Sequence, residues 1–166
     1  MTDLASRAQT AWTILIAGAF ATIAFDLFGQ GLSPLAGFAK LAPVGLAQQT
    51  LATVFGDVPA GAAHTLHTLT GLLAYPLGYF LIARPVAARI TPWLHWSVVA
   101  TVYGVALWVF ALYVMAHLVA GNPAFLGFSG ITWVALWGHI VFALVAAAVI
   151  EVRLPRVALA AQPTLA

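Results

Sequence analysis

Four long apolar runs, separated by short breaks rich in proline, glycine and charge, organise this chain. The first extends from Ala11 to about Leu32 and is interrupted only by Asp26. The second covers 60–83 and closes at Arg84-Pro85, where charge and proline together predict a helix end. The third covers 93–120 without an acid, lysine or arginine and breaks at Gly121-Asn122-Pro123. The fourth covers 128–150 and stops at Glu151, Arg153 and Pro155. Each supplies the roughly 20 residues that about 30 Å of hydrocarbon requires. The pattern predicts an all-α protein, an integral membrane four-helix up-down-up-down bundle, with one transmembrane domain over 1–156 and a tail over 157–166. Between the first two runs, 33–59 carries a further signal. Val44, Ala47, Leu51, Val54, Phe55 and Val58 keep helical spacing, with Gln49, Thr50, Thr53 and Asp57 opposite. This predicts an amphipathic interfacial helix that packs on the bundle, or else covers a site.

Composition sharpens the picture. With 63% hydrophobic and 6% charged residues, the chain has too few acids and bases to coat a soluble fold of its size. No run of Lys and Arg exists to neutralise phosphates, which excludes nucleic-acid binding. The absence of cysteine excludes disulfide exchange and thiolate metal sites. Four spans put Arg7, Arg84, Arg89, Arg153 and Arg156 on one side and only Lys40 on the other. The positive-inside rule makes the arginine side cytoplasmic, so both termini are expected there, in a bacterial inner membrane. Arg7 before an apolar run also suits a signal peptide, but the run is long enough to span and is read as an uncleaved first helix.

The two halves of the chain share a coarse pattern. Gly31-Leu32-Ser33-Pro34-Leu35-Ala36-Gly37-Phe38 follows the first run, and Gly121-Asn122-Pro123-Ala124-Phe125-Leu126-Gly127-Phe128 follows the third. The next run in each half carries a histidine, His67 lying 18 residues before Pro85 and His139 lying 16 before Pro155. In an up-down-up-down bundle these runs are diagonal, so two imidazoles at matched depth could take haem b edge-on, with His67 and His139 on the iron. Gly71, Gly138 and Gly104 would clear room for the macrocycle, and His64, His117 or Lys40 would meet its propionates. This ligand layout is similar to that of membrane b-type cytochromes. Packing of the same histidines against neighbouring helices is the alternative.

Ionisable groups inside spans admit two further chemistries. His64, His67, His117 and Asp26 form a candidate outer cluster for Cu or Zn, since neutral imidazoles and a carboxylate suit those ions. Asp26 could instead carry protons in a small-molecule exporter, with Trp12, Trp108, Tyr113 and Trp133 along the path, or simply pair with a histidine across helices. Trp93, Trp96, Trp12 and Trp133 read as interfacial anchors, whereas Trp108 and Trp137 sit deeper and need partners for their indole N–H groups. Pro76 should kink the second span.

The segments Gly18-Ala19-Phe20-Ala21-Thr22, Ala83-Arg84-Pro85 and Trp137-Gly138-His139 resemble those of small bacterial four-helix inner-membrane proteins without assigned function. That resemblance transfers no active site. The expectation drawn from the residues is an accessory or electron-transfer component of a membrane redox system, associated with lipid and with other membrane subunits or itself. A proton-coupled transporter using Asp26 and a purely structural subunit are the alternatives.

Overall fold

The computed structural model describes residues 2–154, and Pro155, Arg156 and the 157–166 tail lie outside them. Among the described residues the chain is helical, with no strand. Helix α1 runs as Thr2–Asp26, then a π-helical segment Leu27–Leu32, then Ser33–Leu35. Helix α2, Pro43–Phe55, follows in the loop. Helix α3 joins Ala60–Leu69, a π segment Thr70–Ala74, Tyr75–Gly78, a second π segment Tyr79–Ala83 and Arg84–Ile90. Helix α4 comprises Trp96–Val109 and the π segment Phe110–Val119, and α5 is Gly130–Arg153. Four stretches are long and apolar enough to cross a membrane: Ser6–Leu35, Gly61–Ile90, Trp96–Val119 and Gly130–Arg153.

Arg84-Pro85 therefore does not end the second span, contrary to the sequence expectation. The reason is a device used three times. Proline lacks an N–H and its ring crowds the carbonyl four residues back, which normally breaks a helix. Here the residue before each of Pro34, Pro76 and Pro85 donates to the carbonyl five residues back: Ser33 to Phe28, Tyr75 to Thr70 and Arg84 to Tyr79. The widened turn absorbs the ring and the helix continues. Pro76 is thus accommodated by local π geometry and is itself buried.

Helix α5 is the centre of the packing, lying against both α1 and α4, while α1 also packs on the π segment of α3. Small residues make these contacts close. Ala17, Ala21, Ala100, Ala143, Ala146 and Ala147 are fully buried. A Cβ built on Gly104 of α4 would lie 2.7 Å from the Ile140 Cα and 2.8 Å from the His139 carbonyl oxygen of α5. One built on Gly18 would strike the Leu72 backbone of α3. Close backbone approach replaces hydrophobic burial as the cohesive force where the surrounding solvent is itself apolar. At the opposite end from α2, Arg84 and Glu151 join α3 to α5, and Arg153 Nε donates to the buried Thr13 hydroxyl of α1 at 3.3 Å.

The turn between α4 and α5 is unusual. Phe125, Leu126, Gly127 and Phe128 all have positive φ, between 50° and 68°. Such a left-handed turn costs roughly 1–2 kcal/mol per non-glycine residue. Packing opposes that cost: Phe125 lies against Trp108 with ring centroids 4.7 Å apart and stacks on Tyr113 and Phe128, and the Thr132 hydroxyl donates to its carbonyl at 2.5 Å. The matching segment of the first half, Gly31 to Phe38, is instead mostly right-handed helix, with positive φ only at Gly37. The two similar sequences therefore take different shapes.

Trp108 donates its indole N–H to the Thr132 carbonyl at 3.0 Å, meeting the need for a partner inside the bundle. Trp137 does not follow it. It is 59% exposed on the outside of α5, because its neighbours Gly138 and His139 take the inward positions.

Candidate functional site

A cavity of about 200 Å3 opens in the half of the bundle covered by α2. All four spanning helices contribute to it: Phe25 from α1, His67 and Tyr75 from α3, Ala111 and Met115 from α4, and His139 and Phe142 from α5. Helix α2 closes the top. It offers Pro43, Leu46, Ala47 and Thr50 to the cavity, while Val54 and Phe55 are 57% and 72% exposed. The buried face is thus rotated from the one the apolar spacing suggested, and Thr50, expected on the polar face, is buried.

Leu41 wedges this cover in place. Its backbone N–H donates to the Gly29 carbonyl at 2.9 Å, and its side chain is 5% exposed in the space left by Gly29 and Gly138. A Leu41→Ala substitution should cost about 2–5 kcal/mol of unfolding free energy through lost contact and an enlarged void. Equilibrium unfolding in mixed micelles would measure it, and a cost under about 0.5 kcal/mol would show that α2 is not held by this residue.

The cavity's polar groups are few and specific. His139 is 6% exposed and its Nδ1 lies 2.7 Å from the Ala135 carbonyl. A carbonyl only accepts, so Nδ1 carries the proton, and Nε2 of the neutral ring is left as an acceptor. His67 Nε2 lies 3.3 Å and 3.4 Å from the two Asp26 carboxylate oxygens, and Gln30 Nε2 donates to the same carboxylate at 2.7 Å. The Asp26–His67 pairing realises the cross-helix role expected for Asp26. The Thr22 hydroxyl is buried without a hydrogen-bond partner, and a Cβ on Gly71 would collide with it.

Of the residues singled out in the sequence, His67, His139 and Gly71 line this one cavity, with Asp26 directly behind His67. Gly104 and Gly138 do not line it. Gly104 admits the α5 backbone and Gly138 admits Phe25 and Leu41. His64 is exposed, and His117 binds the Asn122 carbonyl through Nδ1 at 2.7 Å. Among the described residues no three histidine or acidic side chains come together as metal ligands, so the outer set His64, His117 and Asp26 does not assemble a Cu or Zn site. Sequence reasoning missed Phe25, Tyr75 and Phe142, and on α2, raised as packing on the bundle or else covering a site, it did not name Pro43 or Leu46. Aromatic and aliphatic side chains in an apolar helix carry no mark of which face lines a void.

The arrangement does not fit haem b between His67 and His139. The Phe25 ring lies against both imidazoles, with centroids 5.1 Å from His139 and 6.4 Å from His67. His67 presents Nε2 to a carboxylate, which removes the nitrogen a histidine on α3 would give to iron. The volume, about 200 Å3, also compares with the roughly 150 Å3 that holds a benzene ring, not with a four-pyrrole macrocycle. No known protein family, curated protein or solved structure matches the chain.

Proposed function

We propose that this chain is a multi-pass inner-membrane binding protein that takes a small, mainly apolar molecule from the bilayer into the outer half of its bundle, as an accessory component of a membrane redox system. The observation that carries this reading is one apolar cavity shared by all four spans and α2, into which only a few oriented polar groups turn. Largely preformed, apolar clefts with sparse convergent polar groups are the usual form of small-molecule sites. In this reading the helices alternate up and down, the arginine-rich ends face the cytoplasm, and α2 lies along the outer interface with Val54 and Phe55 toward lipid.

Binding is favoured over transport by the packing of the other half. Thr13, Tyr79 and Ile150 are fully buried there, and the Arg84–Glu151 pair ties α3 to α5 below them. None of these residues lines the cavity. Asp26 serves as the partner of His67, holding its ring across the α1–α3 contact.

The test uses p-xylene as a ring-sized probe with the detergent-purified protein. Saturating probe should raise the thermal midpoint by several degrees, because a ligand that binds only the folded state stabilises it. Ala111→Leu, which fills the cavity from α4, should remove the shift. An equal shift in both proteins would sink the cavity reading. The visible spectrum of the same preparation should show no haem band, and a sharp α-band lost on His67→Ala and His139→Ala would overturn the assignment in favour of a cytochrome.

A further inference from the structure

Resting on that binding reading, we infer that the cavity is built for the hydroxylated ring of a quinol-class lipid carrier, its chain leaving into the bilayer between α3 and α4 beneath α2.

Four groups define what the ring must carry. His139 Nε2 is an acceptor by virtue of the Nδ1–H bond to Ala135, so it asks the ligand for a hydrogen-bond donor. Thr50 and Thr70 also line the cavity, from α2 and α3, and no hydrogen bond joins either hydroxyl to another described residue. They can give or take a bond. His67, braced by Asp26, presents a fourth polar edge. A saturated or purely aromatic hydrocarbon would leave His139 Nε2 and both threonine hydroxyls unpaired, so it binds more weakly than a ring that meets them. A ring bearing hydroxyl or alkoxy oxygens on opposite sides satisfies several together. Phe25, Tyr75 and Phe142 supply aromatic walls, with Tyr75 and Phe142 edge-to-face at 5.7 Å, suited to a flat six-membered ring.

The exit for a chain follows from how α3 and α4 separate. They meet in their cytoplasmic halves, where the Tyr103 hydroxyl donates to the Tyr75 carbonyl at 2.7 Å. In the outer half α2 packs on both of them instead. Phe110 sits at that parting, lining the cavity while 43% exposed on the outer surface of the bundle. An isoprenoid or alkyl chain passing beside it stays in hydrocarbon throughout, while the ring reaches the imidazoles.

Binding of three ten-carbon-chain probes to the full chain in phosphatidylcholine nanodiscs tests this: decylubiquinol, decylubiquinone and decylbenzene, by titration calorimetry. Decylubiquinol should bind about tenfold more tightly than decylubiquinone, since only the quinol has an O–H to give Nε2, and decylbenzene should bind more weakly than either. His139→Leu should abolish the quinol-over-quinone preference. Thr50→Val should weaken both oxygenated probes and leave decylbenzene unchanged, which keeps the test alive if His139→Leu misfolds. Equal affinities for all three probes, sensitive to Ala111→Leu but not to His139→Leu or Thr50→Val, would overturn the quinol inference and leave the cavity reading standing. Failure of every decyl probe alongside a retained p-xylene shift would do the same. Failure of p-xylene as well would remove both.

Discussion

Replacing Arg84 by methionine should lower the unfolding free energy by about 3–5 kcal/mol, the largest effect expected of any side chain outside the cavity. The Arg84 Nε lies 3.1 Å from Glu151 Oε1 and Nη2 lies 3.4 Å from Oε2, with side chains only 15% and 10% exposed. Nη2 also donates to the Leu154 carbonyl, and the Tyr79 hydroxyl donates to the same carboxylate at 3.2 Å. Removing the guanidinium takes two charge-assisted hydrogen bonds from a carboxylate that is 10% exposed. Removing both charges is different, because desolvation of the pair nearly cancels its attraction. Arg84→Met combined with Glu151→Leu should therefore recover most of the loss. Denaturant unfolding of the single and double variants measures this, and a single variant within about 0.5 kcal/mol of the parent would mean the pair is solvated.

Gly18→Val should be comparably severe for a different reason. The first side-chain atom alone would sit 2.6 Å from the Leu72 carbonyl carbon and 2.7 Å from its Cα. Backbone cannot rotate away as a side chain does, so α1 and α3 must separate along their whole contact. Overpacking costs typically 1–3 kcal/mol where side chains relax, and more where they cannot. Separation here also opens the wall between Thr22 and Gly71 beside the cavity. The folded fraction and the p-xylene response should fall together. Gly61→Ala, where a Cβ meets nothing within 4 Å, is the matched control and should change neither. Equal stability of Gly18→Val and the control would show that α1 and α3 are not in backbone contact.

Much of the architecture was legible in the chain. Long apolar runs need an apolar surrounding, and a backbone inside one must bond to itself, so length and hydropathy alone demand spanning helices. The extra helix of the first loop also announced itself, through the spacing of Val44, Ala47 and Leu51. Ionisable residues in a span are rare enough that Asp26, His67 and His139 stood out before any geometry was known. All three do gather at one place.

Other features had no one-dimensional sign. In a soluble protein, polarity marks the outer face of a helix. Here both faces are apolar, so nothing in the order of residues told whether Trp137 or Ala135 points inward. On α2 polarity was present and still misled, with Thr50 buried toward the cavity and Phe55 outside, because in an apolar surrounding a bulky apolar side chain gains nothing by turning inward. Pro85 looked like a terminator because its chemistry forbids an ordinary α-helical turn. Whether the chain breaks or widens into a π turn depends on the neighbouring helix that holds it. The sequence by itself determined a four-span helical membrane protein and named the few groups that could act in it. Only the tertiary structure decided that Phe25 stands between the two histidines, that Asp26 claims the nitrogen of His67, and that His139 keeps its own free. Those outcomes depend on helix rotation and on approaches of a few ångströms, which hydropathy does not encode.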